Sequence, residues 1–121
     1  TYEQNLVLGR ALLESSLLLE GKCIASCVTK EMMDFYKVKQ SDLEGIVSQL
    51  RVTQGVEVAI FMYEIGIQEY KISLRASGNV DVSKVAECFG GGGHKKAAGL
   101  TMKGEIEHII DALAEQIRKQ L

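Results

Sequence analysis

Residues 71–99, "KISLRASGNVDVSKVAECFGGGGHKKAAG", place a strand, a helix and a glycine run in direct succession. Alternating apolar and polar residues at the start of the stretch predict a strand whose polar face carries Lys71 and Arg75. Asp81 then caps a predicted helix, which the glycines at positions 90 to 93 end. This order of elements is typical of an α/β domain.

Four consecutive glycines followed by a histidine and two lysines favour an anion site. Glycine adopts positive φ and lets a ligand approach bare backbone. We expect a short helix to begin near His94, adding free N–H groups and the positive end of its dipole. Arg75 can then hold a phosphate with two parallel hydrogen bonds. The spacing fits neither G-x-x-x-x-G-K-[ST] nor G-x-G-x-x-G, so a Walker NTPase and a Rossmann enzyme are poor fits.

Two plainer interpretations of the same stretch stay open. The glycines could serve only to turn the chain, with His94 as a solvated surface residue. For Lys95 and Lys96, a solvated position is as reasonable as direct contact with a phosphate.

The rest of the chain supports the α/β class, with a mixed β-sheet of about four to five strands flanked by helices in one domain. Periodicity and caps predict the following elements: a helix over 2–20 that ends at Gly21, a strand over 22–29, a short helix over 30–35, a helix from a Ser41/Glu44 capping box to Leu50, a hairpin of 56–63 with 69–76, a strand over 100–103 and a C-terminal helix from about Glu105.

The charge of the chain is unevenly distributed. Residues 71–96 carry five basic and two acidic side chains, a net +3, so the remainder carries −5 of the total of −2. A confined positive patch on an acidic body is suited to steering a small anionic ligand. The balance argues against a general nucleic-acid coat.

The composition excludes a membrane span, because no run of about twenty apolar residues occurs.

Cys23, Cys27 and Cys88 form no even disulfide framework, so we expect a reducing, cytoplasmic environment. Cys23 and Cys27 lack a second ligand pair and are predicted to be buried apolar residues, with no metal bound. The chain starts at Thr1 without a methionine, and we expect it to be a piece of a longer protein.

Residues 71–99 resemble the signature of the DHH-associated C-terminal domain (DHHA type), the smaller lobe of the DHH phosphoesterases. "LVLGRALLE", residues 6–14, is similar to the preceding helix of the bacterial nanoRNase/pAp-phosphatase (RecJ-like) type. The resemblance therefore extends over essentially the whole chain, and residues 90–99 are its most specific part. The sequence departs from the family pattern at Ala76 and Ser77, which leaves one fewer hydroxyl beside the arginine.

The resemblance implies a substrate-binding domain over residues 1–121 with no catalytic residue of its own. Arg75, Gly91, Gly92, Gly93, His94 and Lys95 would line the nucleotide end of a substrate. An N-terminal DHH domain, absent from this chain, would carry a two-metal Mn²⁺ centre and make the whole protein a hydrolase. The implied partners are this DHH domain and a short oligoribonucleotide, pAp or a linear dinucleotide.

Two other functions remain open. One is a non-catalytic nucleic-acid-binding module like the C-terminal domain of alanyl-tRNA synthetases, although aromatic residues are only 6% of the chain, few for a stacking platform. The other is self-association through the first helix and the apolar hairpin, so a homodimer is possible alongside substrate binding.

Overall fold

A six-stranded mixed β-sheet forms the centre of the computed structural model, which describes residues 1–121. Its spatial order is β1-β2-β3-β4-β6-β5, with β2 and β3 parallel and every other neighbouring pair antiparallel. The α/β class is confirmed, with slightly more strands than expected. The strands are β1 Ser16–Leu18, β2 Cys23–Val28, β3 Val58–Gly66, β4 Glu69–Ala76, β5 Gly92–His94 and β6 Ala97–Lys103.

Helices cover both faces of the sheet, and each face has its own apolar core. The first three helices pack on one face, and the last two pack on the other. The helices are α1 Tyr2–Leu13, α2 Lys30–Tyr36, α3 Ile46–Arg51, α4 Val82–Glu87 and α5 Ile106–Arg118, with a short 3₁₀ helix at Gln40–Leu43.

The predicted hairpin of β3 and β4 is confirmed, and it orients the sheet. Tyr70, Ile72 and Leu74 are buried in the core beneath α4 and α5. Lys71 and Arg75 alternate with them and therefore lie on the opposite face, towards the α1–α3 side. The polar alternation along β4 thus places two cations on the side that carries the first three helices.

The first helix is shorter than predicted, because α1 ends at Leu13 instead of position 20. Leu17 and Leu18, which continue the apolar pattern of the helix in the sequence, lie in β1. This strand pairs with β2 from Ser16 to Leu18. Leu19 and Glu20, with φ of 53° and 59°, turn the chain between the two strands. Pairing with a neighbouring strand outweighed the local helical pattern.

The predicted helix from Ser41 to Leu50 is divided into the 3₁₀ helix and α3. The backbone N–H of Lys39 donates to Asp42 Oδ2 at 2.8 Å, so the cap lies two residues earlier than the predicted Ser41/Glu44 pair. No helix combines the length and apolar composition that crossing a lipid bilayer requires.

Candidate functional site

Part of the sheet has no helix over it. On the α1–α3 side, the buried core takes sheet residues only from β2 and β3, namely Ile24, Val28, Ala59 and Phe61. Strands β4, β6 and β5 add no residue to this core. Helix α3 approaches β4 beside Lys71 and Ser73, and β6 and β5 lie beyond it. We call this surface of β4, β6 and β5 the open face.

Arg75 and His94 lie on the open face with one small residue between them. Arg75 pairs with Ala97 across β4 and β6, and His94 pairs with Ala97 across β5 and β6. Cross-strand partners point to the same side of a sheet, and strands lie about 4.8 Å apart. The backbones of Arg75 and His94 are therefore about 10 Å apart, with only the methyl group of Ala97 between the two side chains.

The adjacent row of the open face contains almost no side chain. Ser73 pairs with Gly99, and Gly99 pairs with Gly92. A Cβ at Gly92 would have no atom within 4 Å, so the space above this glycine is free. A ligand held by Arg75 and His94 could rest directly on this backbone.

Two other glycines of the run, Gly91 and Gly93, pack against β6 instead of facing the open face. A Cβ at Gly91 would lie 2.9 Å from Leu100 Cα, and one at Gly93 would lie 2.6 Å from Ala98 Cα. Gly93 also has a φ of 151°, which favours glycine. Of the three glycines predicted to line a ligand, the structure turns only Gly92 towards the open face.

The helix predicted to begin near His94 does not form, so no helix N-terminus contributes to an anion site there. His94 ends β5, Lys95 and Lys96 make a two-residue turn, and Ala97 starts β6. The carbonyl oxygens of Lys95 and Lys96 accept hydrogen bonds from the backbone N–H groups at the start of α4 and the end of β4. Glycine and alanine let β5 and β6 approach closely enough to pair, so a hairpin replaces the helix.

Five basic side chains near the open face are free of acidic partners, whereas Lys103, at the end of β6, pairs with Glu69 of β4. None of the ion pairs in the chain involves Lys71, Arg75, His94, Lys95 or Lys96. Arg75 Nη1 donates only to its neighbour's carbonyl, the oxygen of residue 74, at 3.0 Å. The positive charge predicted for this region is therefore available to an anion.

The departure from the family pattern at position 76 has little bearing on this face. The side chain of Ala76 is buried in the core beneath α4 and α5, on the side of β4 away from Arg75. The backbone N–H of Ser77 donates to Glu57 O at 2.8 Å. A hydroxyl group at position 76 would point into the core, so its absence removes no contact from the open face.

Sequence reasoning missed a groove beside the open face, where the 3₁₀ helix and the start of α3 approach β3 and β4. It has a volume of about 350 Å³, and we call it the side groove. Its polar and aromatic lining comes from segments far apart in sequence. Among the residues that line it are Gln40, Ser41, Glu44, Tyr63, Lys71 and Ser73.

The cysteines lie away from the open face. Cys23 is fully buried and Cys27 partly buried, and burial raises the pKa of both thiols to about 12, with Glu64 adding to the effect at Cys27. Cys88 is exposed. No three or more His, Cys, Asp or Glu side chains come together in this chain in a way that could hold a metal ion. The Mn²⁺ centre that the resemblance implies would belong to the N-terminal DHH domain.

Comparison with protein families matches residues 20–119 to the DHHA1 domain. A curated protein from Thermus thermophilus, the bifunctional oligoribonuclease and PAP phosphatase NrnA, is 33% identical over 85 residues. The aligned region is 68% of this chain and 25% of that protein. This chain therefore corresponds to about a quarter of the length of the curated relative.

Two solved structures have the same fold. An exopolyphosphatase-related protein from Bacteroides fragilis superposes with a TM-score of 0.88 at 25% identity, over 98% of this chain and 35% of that one. The C-Ala domain of alanyl-tRNA synthetase from Aquifex aeolicus superposes with a TM-score of 0.63 at 15% identity, over 86% of this chain and 97% of that one. At that identity the second likeness concerns the fold alone.

Proposed function

The chain belongs to the DHHA1 domain family, and from this premise we propose that its open face binds the phosphate-bearing end of a short oligoribonucleotide or nucleotide. Arg75 would form a bidentate contact with a phosphate, and His94 would donate a hydrogen bond from the other side. Gly92 and Gly99 would let the ligand lie close to the sheet.

The observation that carries this proposal is the row Arg75–Ala97–His94 on a surface without a covering helix. Both polar side chains point to one side of the sheet, and neither has an acidic partner within the chain. Beside the row lies bare glycine backbone, with free space above Gly92. A phosphate ester needs these three features: positive charge, hydrogen-bond donors and room for close approach.

In the whole protein, we propose that a DHH domain N-terminal to this chain cleaves the phosphoester bond at a Mn²⁺ centre. A metal of that kind supplies an activated water and stabilises charge on the phosphoryl group. The residues of this chain would hold and orient the substrate.

Binding by this domain alone should be weak. Two or three charge-assisted hydrogen bonds contribute about 1.5–3 kcal/mol each, and the loss of rigid-body freedom offsets several kcal/mol of that gain. The expected Kd lies between high micromolar and millimolar values, as an order of magnitude.

Titration with pAp and with a linear diadenylate, followed by backbone amide shifts, tests this proposal. The amides of Arg75, Gly92 and His94 should shift together, and Arg75→Ala should weaken binding about tenfold or more. Arg118→Ala is the matched control, because Arg118 is exposed on α5 at the other side of the sheet. Its binding should equal that of the unmodified chain.

Two results would contradict the proposal. One is unchanged amide shifts at Arg75, Gly92 and His94 when pAp or diadenylate binds. The other is a long single-stranded RNA binding far more tightly than the dinucleotide, with a steep salt dependence, which indicates a general nucleic-acid-binding module.

A further inference from the structure

We propose that the side groove binds the base of the nucleotide whose phosphate lies between Arg75 and His94, and that Glu44 gives it a preference for guanine. This inference rests on the proposed function and adds a base-specific contact to it.

The side groove is continuous with the open face. Ser73 lines the groove and also belongs to the row that contains Gly99 and Gly92. Along β4, Ser73 at the near end of the groove is two residues from Arg75, about 7 Å, and Lys71 at the far end is four residues away, about 13 Å. A nucleotide whose phosphate contacts the Arg75 guanidinium on its groove side would therefore extend past Ser73 and place its base in the groove.

Tyr63 provides an aromatic wall. It pairs with Lys71 across β3 and β4 and is partly exposed, and its hydroxyl group has no hydrogen-bond partner in the chain. Stacking of a base on an aromatic ring strengthens binding about tenfold for each base. Glu44 lines the same groove as Tyr63. The pKa of Tyr63 is raised, first by burial and then by the negative charge of Glu44.

The two edges of the groove have opposite hydrogen-bonding character. Glu44 is exposed and forms neither an ion pair nor a side-chain hydrogen bond, so both carboxylate oxygens can accept. Lys71, on the β4 side, is likewise free to donate. Gln40 and Ser41 add polar groups beside Glu44.

Guanine matches this arrangement better than the other bases do. Its N1–H and N2 amino groups form a double donor for a carboxylate, and its O6 and N7 are acceptors for a lysine. Adenine offers one amino donor next to an acceptor nitrogen, so it would lose one of the two hydrogen bonds to Glu44. A bidentate contact of this kind discriminates between bases by about tenfold or more.

The test is titration of this chain with 5′-GMP, 5′-AMP and ribose 5-phosphate, followed by backbone amide shifts. We expect all three to shift Arg75 and His94, and only the nucleotides to shift Tyr63 and Glu44. GMP should bind about tenfold more tightly than AMP. Glu44→Gln should reduce this preference to about twofold or less, because an amide accepts at only one of its two positions.

Glu107→Gln is the matched control, since Glu107 is exposed on α5, on the other side of the sheet. It should leave the ratio of GMP to AMP affinity unchanged. Equal affinities for GMP and AMP, with shifts confined to the region of Arg75 and His94, would refute the base subsite and leave the proposed function standing. If ribose 5-phosphate and both nucleotides leave Arg75 and His94 unshifted, the proposed function itself fails, and the base subsite fails with it.

Discussion

Replacing Gly91 by alanine should destabilise the fold, because the chain entering β5 lies directly against β6. The new Cβ would lie 2.5 Å from Leu100 Cβ and 2.9 Å from Leu100 Cα, and closer still to the carbonyl oxygen of Gly99. Non-bonded carbon atoms prefer separations of about 3.5–4.0 Å. The strand must therefore move away by about 1 Å, which stretches N–H···O bonds from about 2.9 Å to beyond hydrogen-bonding distance.

The size of the effect follows from the short length of β5. This strand pairs with β6 at three positions. Losing two or three backbone hydrogen bonds at about 1 kcal/mol each agrees with the cost of about 1–3 kcal/mol for overpacking. A domain stable by about 5–15 kcal/mol still folds after this loss, but its Tm should fall by roughly 10 °C.

Gly92→Ala is the matched control and should separate stability from binding. No atom lies within 4 Å of its Cβ, and Gly92 is not among the glycines with positive φ. Its Tm should stay the same or rise slightly, with a change of no more than about 1 kcal/mol. Its methyl group would occupy the open face, so binding of pAp should weaken severalfold.

Thermal unfolding by circular dichroism and titration with pAp, measured on both variants, test this reasoning. A wild-type Tm for Gly91→Ala would show that β5 does not pack on β6 as described. A lower Tm for Gly92→Ala than for Gly91→Ala would show that the faces of β5 are assigned wrongly. Unchanged pAp binding by Gly92→Ala would remove this glycine from the binding surface.

Two further predictions concern the rest of the fold. With a thiol reagent at pH 8, Cys88 should react quickly, because it is exposed. Cys23 and Cys27 should react only on unfolding, because burial raises the pKa values of both thiols to about 12. Rapid reaction of two thiols in the native chain would contradict this prediction. Leu113→Ala, at a fully buried position of α5, should cost about 2–5 kcal/mol of unfolding free energy in urea, whereas Ile67→Ala, at a side chain 97% exposed, should change it by less than about 0.5 kcal/mol.

The elements with a strong local pattern could be predicted from the sequence. Helix α5 repeats its apolar residues at helical spacing and buries Ile109, Leu113 and Ile117 as that pattern requires. Both strands of the β3–β4 hairpin were predicted, and the alternation of β4 also predicted its polar face. The alternation predicted for β3 was wrong, because its residues from Val58 to Met62 are buried on both faces of the sheet. In these elements local propensity and tertiary packing favour the same structure.

The prediction was wrong where pairing with a distant strand determines the structure. Strand β5 consists of Gly92, Gly93 and His94, residues with little strand propensity, and it exists because β6 pairs with it. A leucine-rich segment became β1 because β2 lies beside it. Strand partners are separated in sequence, so no local pattern shows them.

The candidate site was predicted in part for the same reason. Arg75 and His94 were identified by residue type and by the family resemblance. Their arrangement depends on β6, which inserts between β4 and β5 and sets Ala97 between the two side chains. The side groove went unnoticed because Glu44 and Tyr63 approach each other only after α3 packs on the sheet.

The amino acids of β4, β6 and β5 also explain how a sheet face can stay uncovered in a folded domain. An apolar face without a helix over it would be a site of aggregation, but this one carries Lys71 and Arg75 from β4 and the Glu69–Lys103 pair at its end. Its other residues are serine, glycine, alanine, threonine and histidine. Strand β5 forms the edge of the sheet with only three residues, and Lys95 and Lys96 follow it directly. A short edge strand next to positive charge resists pairing with another chain. The polar and charged residues that make this face compatible with solvent are therefore the residues that we propose attract a phosphate.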